Sequence, residues 1–420
     1  MLSAVIDAGY NSFRLSIYDV FQNNTFRLLG SLKYFVRIGE GIKEGSKISD
    51  DKIKTAEQAF IAFKNLINVK GVKNVKAVGT SAFRYALNGK EVSDKLSEIL
   101  GEDLRIISGE EEGRFSATGV INTLPFIEDA IIFEIGGGSL EIAKVEAGNI
   151  TKVYQLPIGA LKLATYSEKE IRKIVSDEIS TISITPSKLV IGSGGNMRAL
   201  AKLDEKISGF PSDSIHGYVV PSSQISKYAK VLFSLDIEER SALPGISKER
   251  AYTIHSGAVI IDELLQHFNS DKVMVSAFGM REGVLTDGVK LDRNKWLEAI
   301  AFYHYLDPPW DVFYDAEKKV KGEMGFYVGS AAFISSVFKM SEYLNPYDAC
   351  YRMTRTAIIP GFTQKEILTI GLICKAAKGK IKKKNIKSVG LDFKKKELYE
   401  YGKIVKEIVE TYPLGIRWSG

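Results

Sequence analysis

Cysteine is nearly absent from this chain. Its 420 residues include two, Cys350 and Cys374, which argues against a disulfide framework and against a cysteine-built metal centre. Histidine is almost as scarce: His216, His255, His267 and His304 are the four present. The expected place of each is the surface or the core, and none lies beyond residue 304 to build a metal site there. No apolar run reaches the ~20 residues of a membrane-spanning helix. The first residues already read as a strand, without the basic start, apolar stretch and cleavage site of a secretory leader. A soluble, cytoplasmic protein with no membrane partner is therefore expected. The charge balance is only mildly basic, +6 from 57 Lys and Arg against 51 Asp and Glu. That suits an acidic ligand without demanding one. The 45% hydrophobic and 26% charged content is that of a globular protein with sizeable cores, and the length suggests roughly two to four domains.

What the chain does have is glycine in telling places. Ala130-Ile131-Ile132-Phe133 reads as a buried strand, followed by Glu134-Ile135-Gly136-Gly137-Gly138-Ser139-Leu140-Glu141. Glycine lets a bound group approach the backbone closely, and successive free N–H groups form an anion site. Glu134 and Glu141 flank the turn, and a phosphate held between amides and carboxylates calls for a screening cation such as Mg²⁺. A plain tight turn between two hairpin strands is the alternative. A second hairpin of the same kind, Asp7-Ala8-Gly9-Tyr10-Asn11-Ser12, lies near the N-terminus, and a third glycine turn, Gly192-Ser193-Gly194-Gly195, follows the strand Leu189–Ile191. The paired hairpins suggest a duplicated phosphate clamp with the ligand between its halves. That pattern resembles the superfamily of actin, sugar kinases and heat-shock chaperone ATPases.

In chain order, residues 1–35 form a meander. Ser49 is a plausible N-cap for a helix to about Asn68, with Ile53, Ala56, Phe60 and Phe63 at helical spacing. Val75–Gly79 is a strand leading to Arg84, whose planar fork suits either phosphate or an ordinary ion pair. Leu104–Ile107 is a strand, and Ser108-Gly109-Glu110-Glu111-Glu112-Gly113-Arg114 opens a helix. Ser108 with Glu111 fits a capping box, and Glu110 suits the positive helix end. Glu112 has no such role; facing a cleft it would orient and deprotonate a water, and otherwise it is a solvated first-turn acid. Glu249 to Phe268 reads as one long helix with Ala251, Ile254, Ala258, Ile261 and Leu264 on one face. From about residue 290 helical patterns dominate, and lysine is dense between Lys375 and Lys396.

The motifs Asp7–Ser12, Gly79–Arg84, Ser108–Arg114, Gly136–Ser139, Gly192–Gly195 and Arg281-Glu282-Gly283 occur in an order that resembles the exopolyphosphatase / guanosine pentaphosphate phosphatase (Ppx/GppA) family over roughly residues 1–285. The resemblance implies two actin-like (ribonuclease H-like) α/β domains with a cleft between them, at 1–115 and 116–290. It also implies a mainly helical C-terminal domain, 291–420, resembling a degenerate HD domain with Ser335 and Ser336 at the usual metal pair. It makes Glu112 the catalytic base and places Mg²⁺ at Asp7, Glu134 and Glu141. Phosphate binding is expected at Asn11, Ser12, Arg84, Gly136, Gly137, Gly138, Ser139 and Gly194. The chain departs from the family in having Glu134 where aspartate is usual and Tyr10 where serine is usual.

The expected function is Mg²⁺-dependent hydrolysis of terminal phosphate from inorganic polyphosphate. A guanosine pentaphosphate 5′-phosphatase, a non-catalytic polyphosphate-binding protein and an ATP-driven module of the actin-like superfamily are the alternatives. The lysine-dense stretch, with Lys382, Lys383 and Lys384 at its centre, is expected to guide the polyanion, the alternative being a solvated surface. No nucleic-acid partner is expected, and a homodimer is compatible with the family.

Overall fold

The computed structural model describes residues 1–42, 45–379, 381–382, 386 and 393–413. The chain divides into two compact units. The first comprises Met1–Asn122, Phe126–Asp204 and Val219–Lys290. The second comprises Thr123–Pro125, Glu205–Tyr218 and the chain from Leu291 on.

Among the described residues the strands form two sheets. The first contains β1 (Leu2–Ala8), β2 (Phe13–Val20), β3 (Phe26–Tyr34), β4 (Asn74–Gly79) and β5 (Leu104–Ile106), in the order β3-β2-β1-β4-β5. The second contains β6 (Ala130–Ile135), β7 (Leu140–Glu146), β8 (Asn149–Leu156), β9 (Val190–Ser193), β10 (Tyr218–Pro221) and β11 (Lys272–Val275), in the order β8-β7-β6-β9-β11-β10. Both sheets begin with an antiparallel three-strand meander and continue with two parallel strands beside its first strand, β4 and β5 in the first sheet and β9 and β11 in the second, where β10 lies outermost. The second sheet thus repeats the first with one strand more.

Helices of the first unit are α1 (Asp50–Lys70), α2 (Ser81–Tyr85), α3 (Gly89–Leu100), α4 (Gly109–Thr123), α5 (Glu168–Ile179), α6 (Gly194–Ser208), α7 (Ser222–Ser234), α8 (Ile237–Ala242), α9 (Lys248–Ala251), α10 (Ile254–His267) and α11 (Met280–Leu285). The three- and four-residue spacing expected for the first helix is realised in α1, which buries Ala56, Ala59, Phe60, Phe63 and Ile67 and ends on Gly71 in the left-handed conformation. Strand β6 is apolar almost throughout and buries Ala130 to Phe133 completely, as a strand in the middle of a sheet should.

One helix differs from its expectation. Residues 249–268 are broken at Tyr252 and Thr253, where Thr253 adopts φ −122° and donates its N–H to the Arg250 carbonyl. The apolar face continues across the break, since Ala251, Ile254, Ala258, Ile261 and Leu264 are all buried. Periodicity alone therefore reads one helix. The β-branched Thr253 is a weak point for helix continuation, and it lines the cleft described below.

The second unit contains α12 (Arg293–Phe302), α13 (Trp310–Glu317), α14 (Glu323–Met340), α15 (Pro346–Thr356), α16 (Gln364–Ala377) and α17 (Lys395–Thr411). Its core includes Phe313, Phe333, Ile334, Phe362 and Val405. Ser335 and Ser336 are buried on α14. No disulfide framework was expected, and a single bond joins Cys350 to Cys374, pinning α15 to α16. One bond is not a framework, and two cysteines 24 residues apart give no sequence signal of pairing. A loop of that size is stabilised by about 3 kcal/mol. Among the described residues no helix is long and apolar enough to cross a membrane.

Candidate active site

The two hairpins expected to hold phosphate are built alike. In the first, Gly9 N–H donates to the Ser12 carbonyl at 3.2 Å; in the second, Gly136 N–H donates to the Ser139 carbonyl at 2.9 Å. Their turns touch. A Cβ on Gly137 would lie 3.0 Å from the Asn11 Cβ, and one on Gly138 would lie 2.5 Å from the Tyr10 ring. Only glycine permits that approach. Tyr10 is buried, its ring packed against Gly39 and Gly138. The aromatic residue in place of serine thus fills the junction of the turns and still lines the cavity.

A loop after β8 buttresses the second turn. Ala160 N–H donates to the Gly136 carbonyl, and the N–H groups of Leu161 and Lys162 donate to the Gly137 carbonyl, at 3.0–3.1 Å. In a trans peptide the C=O and N–H point oppositely. Fixing these two carbonyls on the loop side aims the Gly137 and Gly138 N–H groups the other way.

Asp7, Asn11, Ser12, Glu112, Glu134, Gly136, Gly137, Gly138, Ser139 and Glu141 all line one cavity. Glu112 sits in the first turn of α4. The expected capping box is present, with Glu111 N–H donating to Ser108 Oγ at 3.1 Å and Ser108 N–H to Glu111 Oε2 at 2.9 Å. Glu112 is left to the cavity side, where Arg84 donates to its carboxylate at 2.8 Å and to the Ile107 carbonyl at 2.8 Å. Arg84 is thus committed to the carboxylate rather than to the cavity wall. Gly194 does not line the cavity either. It makes the left-handed turn, φ +87°, from β9 into α6, and its neighbours Gly195 and Asn196 line the cavity at the helix N-terminus. Lys382 lies in the second unit. Lys383 and Lys384 lie outside the described residues. Nearby Lys375 and Lys378 are each paired with Asp348, at 3.3 and 2.9 Å.

The acids crowd one another. Glu134 and Glu141 are direct cross-strand partners on β6 and β7, an arrangement that repels when both are charged. Burial, followed by the charge of Glu141, pushes the Glu112 carboxyl well above the usual range. Burial lifts Glu141 to about 7, with Glu134 adding to the shift against the bonds from Ser139 and Gln155. Burial lifts Asp7 to about 6 against the attraction of Arg281. Glu134 Oε2 accepts from Ser193 Oγ at 3.2 Å and from Met280 N–H at 3.4 Å. Among the described residues no three such side chains converge closely enough to hold an ion by themselves. Hard oxygen donors and a repelling carboxylate pair fit Mg²⁺, which commonly binds through one or two carboxylates, waters and substrate phosphate.

The same cavity carries a group of cations of which the sequence reading had singled out only Arg281, in the motif Arg281-Glu282-Gly283. Arg14, Lys33, Arg198, Arg250 and Arg281 all line it. Arg14 is the cross-strand partner of Asp7 on one side and of Lys33 on the other, so three charges lie in a row across β1, β2 and β3. Arg250 donates to Asn196 Oδ1 at 3.1 Å, Arg198 to the Ala277 carbonyl at 3.5 Å and Arg281 to Ser16 Oγ at 2.6 Å. Among the described residues no carboxylate forms an ion pair with Arg14, Lys33, Arg198 or Arg250. Burial and then neighbouring cations lower Arg14 and Arg250 to about 10 and Lys33 to about 7. The available signal was Arg14 itself, a charge inside a strand directly after the first glycine turn.

The model of the Ppx/GppA phosphatase family matches residues 16–291, about two thirds of the chain. The chain belongs to the Ppx/GppA phosphatase family. The match ends where the continuous helical part of the second unit begins. Exopolyphosphatase 2 of Mycobacterium tuberculosis is 24% identical over 315 residues, covering 69% of this chain and 97% of that protein. The Ppx/GppA family member of Aquifex aeolicus is 29% identical with a TM-score of 0.60, covering 68% of this chain and 96% of that one. An exopolyphosphatase from Cytophaga hutchinsonii has the same fold, with a TM-score of 0.64 at 23% identity over 69% of this chain and 99% of that one. The two sheets of this Ppx/GppA chain are accordingly those of an actin-like α/β fold.

Proposed function

We propose that the chain is an exopolyphosphatase that hydrolyses terminal phosphate from inorganic polyphosphate. One observation carries the reading: a single cavity sets the carboxylates Asp7, Glu112, Glu134 and Glu141, with Glu282 held by the Tyr18 hydroxyl and the Gly279 N–H, beside five cations, Arg14, Lys33, Arg198, Arg250 and Arg281. The cations suit consecutive phosphates of a polyanion, and the carboxylates suit a metal-assisted attack on the last one. The Gly136–Ser139 turn, Asn11 and Ser12 hold the reacting phosphate. Glu112, oriented by Arg84, positions a water and takes its proton. Mg²⁺ bound at Asp7, Glu134 and Glu141 would supply charge neutralisation at that phosphate. The names of the Mycobacterium tuberculosis and Cytophaga hutchinsonii relatives support the activity. We also infer that the helical unit corresponds to a degenerate HD domain, with Ser335 and Ser336 in place of a metal-binding pair.

Phosphate release from polyphosphate, with and without EDTA, tests the reading. Release that EDTA abolishes is expected, with no turnover of ATP alone. Binding without release would make the chain a polyphosphate-binding protein, and faster release from guanosine pentaphosphate would make it the sister phosphatase. Glu141→Ala is expected to raise the Mg²⁺ concentration for half-maximal rate, whereas Glu134→Asp, which restores the usual family residue, is expected to be tolerated. Because Asp7 and Glu141 hold protons up to about 6 and 7, Mg²⁺ competes with protons there. The Mg²⁺ requirement of the wild type should therefore rise as pH falls from 8 to 6. A requirement independent of pH and of Glu141 would remove these carboxylates from the metal shell.

A further inference from the structure

We propose that His255 and Ser256, the second and third residues of α10, are positioning residues that set the Gly136–Gly138 turn for the reacting phosphate. The proposal rests on the functional reading above for its kinetic consequence, but its structural content stands apart from it.

The two side chains reach the buttressing loop at both ends of its contact with the turn. Ser256 Oγ donates to the Ala160 carbonyl at 2.6 Å. His255 Nε2 lies 3.0 Å from the Ala164 carbonyl, and its Nδ1 lies 2.8 Å from Arg240 Nη1. An arginine can only donate, so Nδ1 accepts and Nε2 carries the proton that goes to Ala164. The imidazole is thereby fixed as one neutral tautomer, and burial together with Arg240 lowers its pKa to about 4. Arg240 is itself held by the Leu232 carbonyl at 2.7 Å. The chain of bonds runs Leu232–Arg240–His255–Ala164, and beside it Ser256–Ala160, whose N–H donates to the Gly136 carbonyl. Gly159 closes the assembly: a Cβ there would lie 2.5 Å from the Gly137 backbone. Nothing in this relay lines the cavity except Ala160 and Leu161 of the loop. The break at Tyr252–Thr253 sets the start of α10, so that Arg250 and Thr253 line the cavity while His255 and Ser256 hold the loop.

The test uses the full chain with Ser256→Ala, His255→Ala and the double variant. Misplacing a reacting group by a fraction of an ångström costs rate rather than affinity. On polyphosphate, each single variant should lower kcat roughly tenfold with KM within about twofold, and the double variant should lose less than the product of the two. Hydrogen exchange read by mass spectrometry is the second arm. Segments covering 136–139 and 157–164 should exchange faster in both variants, while β1 and α1 stay unchanged. Ser256→Ala removes one hydroxyl and guards against a folding failure of the histidine variant. Should wild type release no phosphate from polyphosphate, the functional reading falls, and hydrogen exchange alone then decides the relay. Unchanged exchange at both segments in Ser256→Ala, or an unchanged kcat with a raised KM, overturns the proposal.

Discussion

Glu112→Gln is expected to lower the rate of phosphate release on the order of 10²–10⁴-fold, the range for loss of a general base. The substitution is nearly isosteric, and its amide oxygen can still accept from Arg84. The Ser108–Glu111 capping box is untouched, so stability and polymer binding should change little. Glu111→Gln is the matched control. Glu111 is occupied by the cap and by an ion pair with Arg105, so its replacement costs roughly 1 kcal/mol of helix stability and leaves the rate nearly intact. The measured comparison is kcat for the two variants on the same polyphosphate. A near-normal rate for Glu112→Gln, or an equal loss for Glu111→Gln, would remove Glu112 from the role of base.

The residues around Glu112 left it as either a base or a solvated acid, and the family resemblance made it the base. Capping geometry is local, so Ser108 and Glu111 could be paired from spacing alone, which isolated Glu112. The glycine hairpins were legible for the same reason: their turns are short, and the acids beside them stand at matching offsets. Arg84 was legible as a functional arginine but not as the partner of Glu112, because that pair joins residues 28 positions apart. Gly194 was placed one residue off the cavity, since strand-to-helix geometry decides which amide faces inward. Of the cation group only Arg281 was legible, through the Arg281-Glu282-Gly283 motif. Arg14, Lys33, Arg198, Arg250 and Arg281 come from five separate elements or loops, and each of the others alone reads as a surface charge. The lysine run near Lys382 is conspicuous instead because its charges are adjacent in sequence.

The internal cations, more than that run, should govern affinity. Arg250→Gln is expected to raise the Kd for polyphosphate on the order of tenfold or more, as loss of a charge-assisted contact does, and to flatten the salt dependence, by analogy with counterion release from nucleic acid. Free-protein stability should not fall, because the variant relieves repulsion within the group. The largest neighbouring-charge contribution to the lowered pKa of Lys33 comes from Arg250, which gives the prediction a second readout. In the free protein Lys33 loses its proton near pH 7, and a bound polyanion pulls that pKa back towards its ordinary value. Binding then takes up a proton above about pH 7, so wild-type affinity should weaken as pH rises from 7 to 9. Removing Arg250 raises the pKa of free Lys33, so the onset of that weakening should move to higher pH. Replacing Lys382, Lys383 and Lys384 together by Gln should leave this pH dependence in place and weaken only long chains. Titration calorimetry in buffers of different ionisation enthalpy measures the proton uptake directly. An affinity independent of pH in wild type, or an onset unmoved in Arg250→Gln, would mean that the polymer does not lie along these cations.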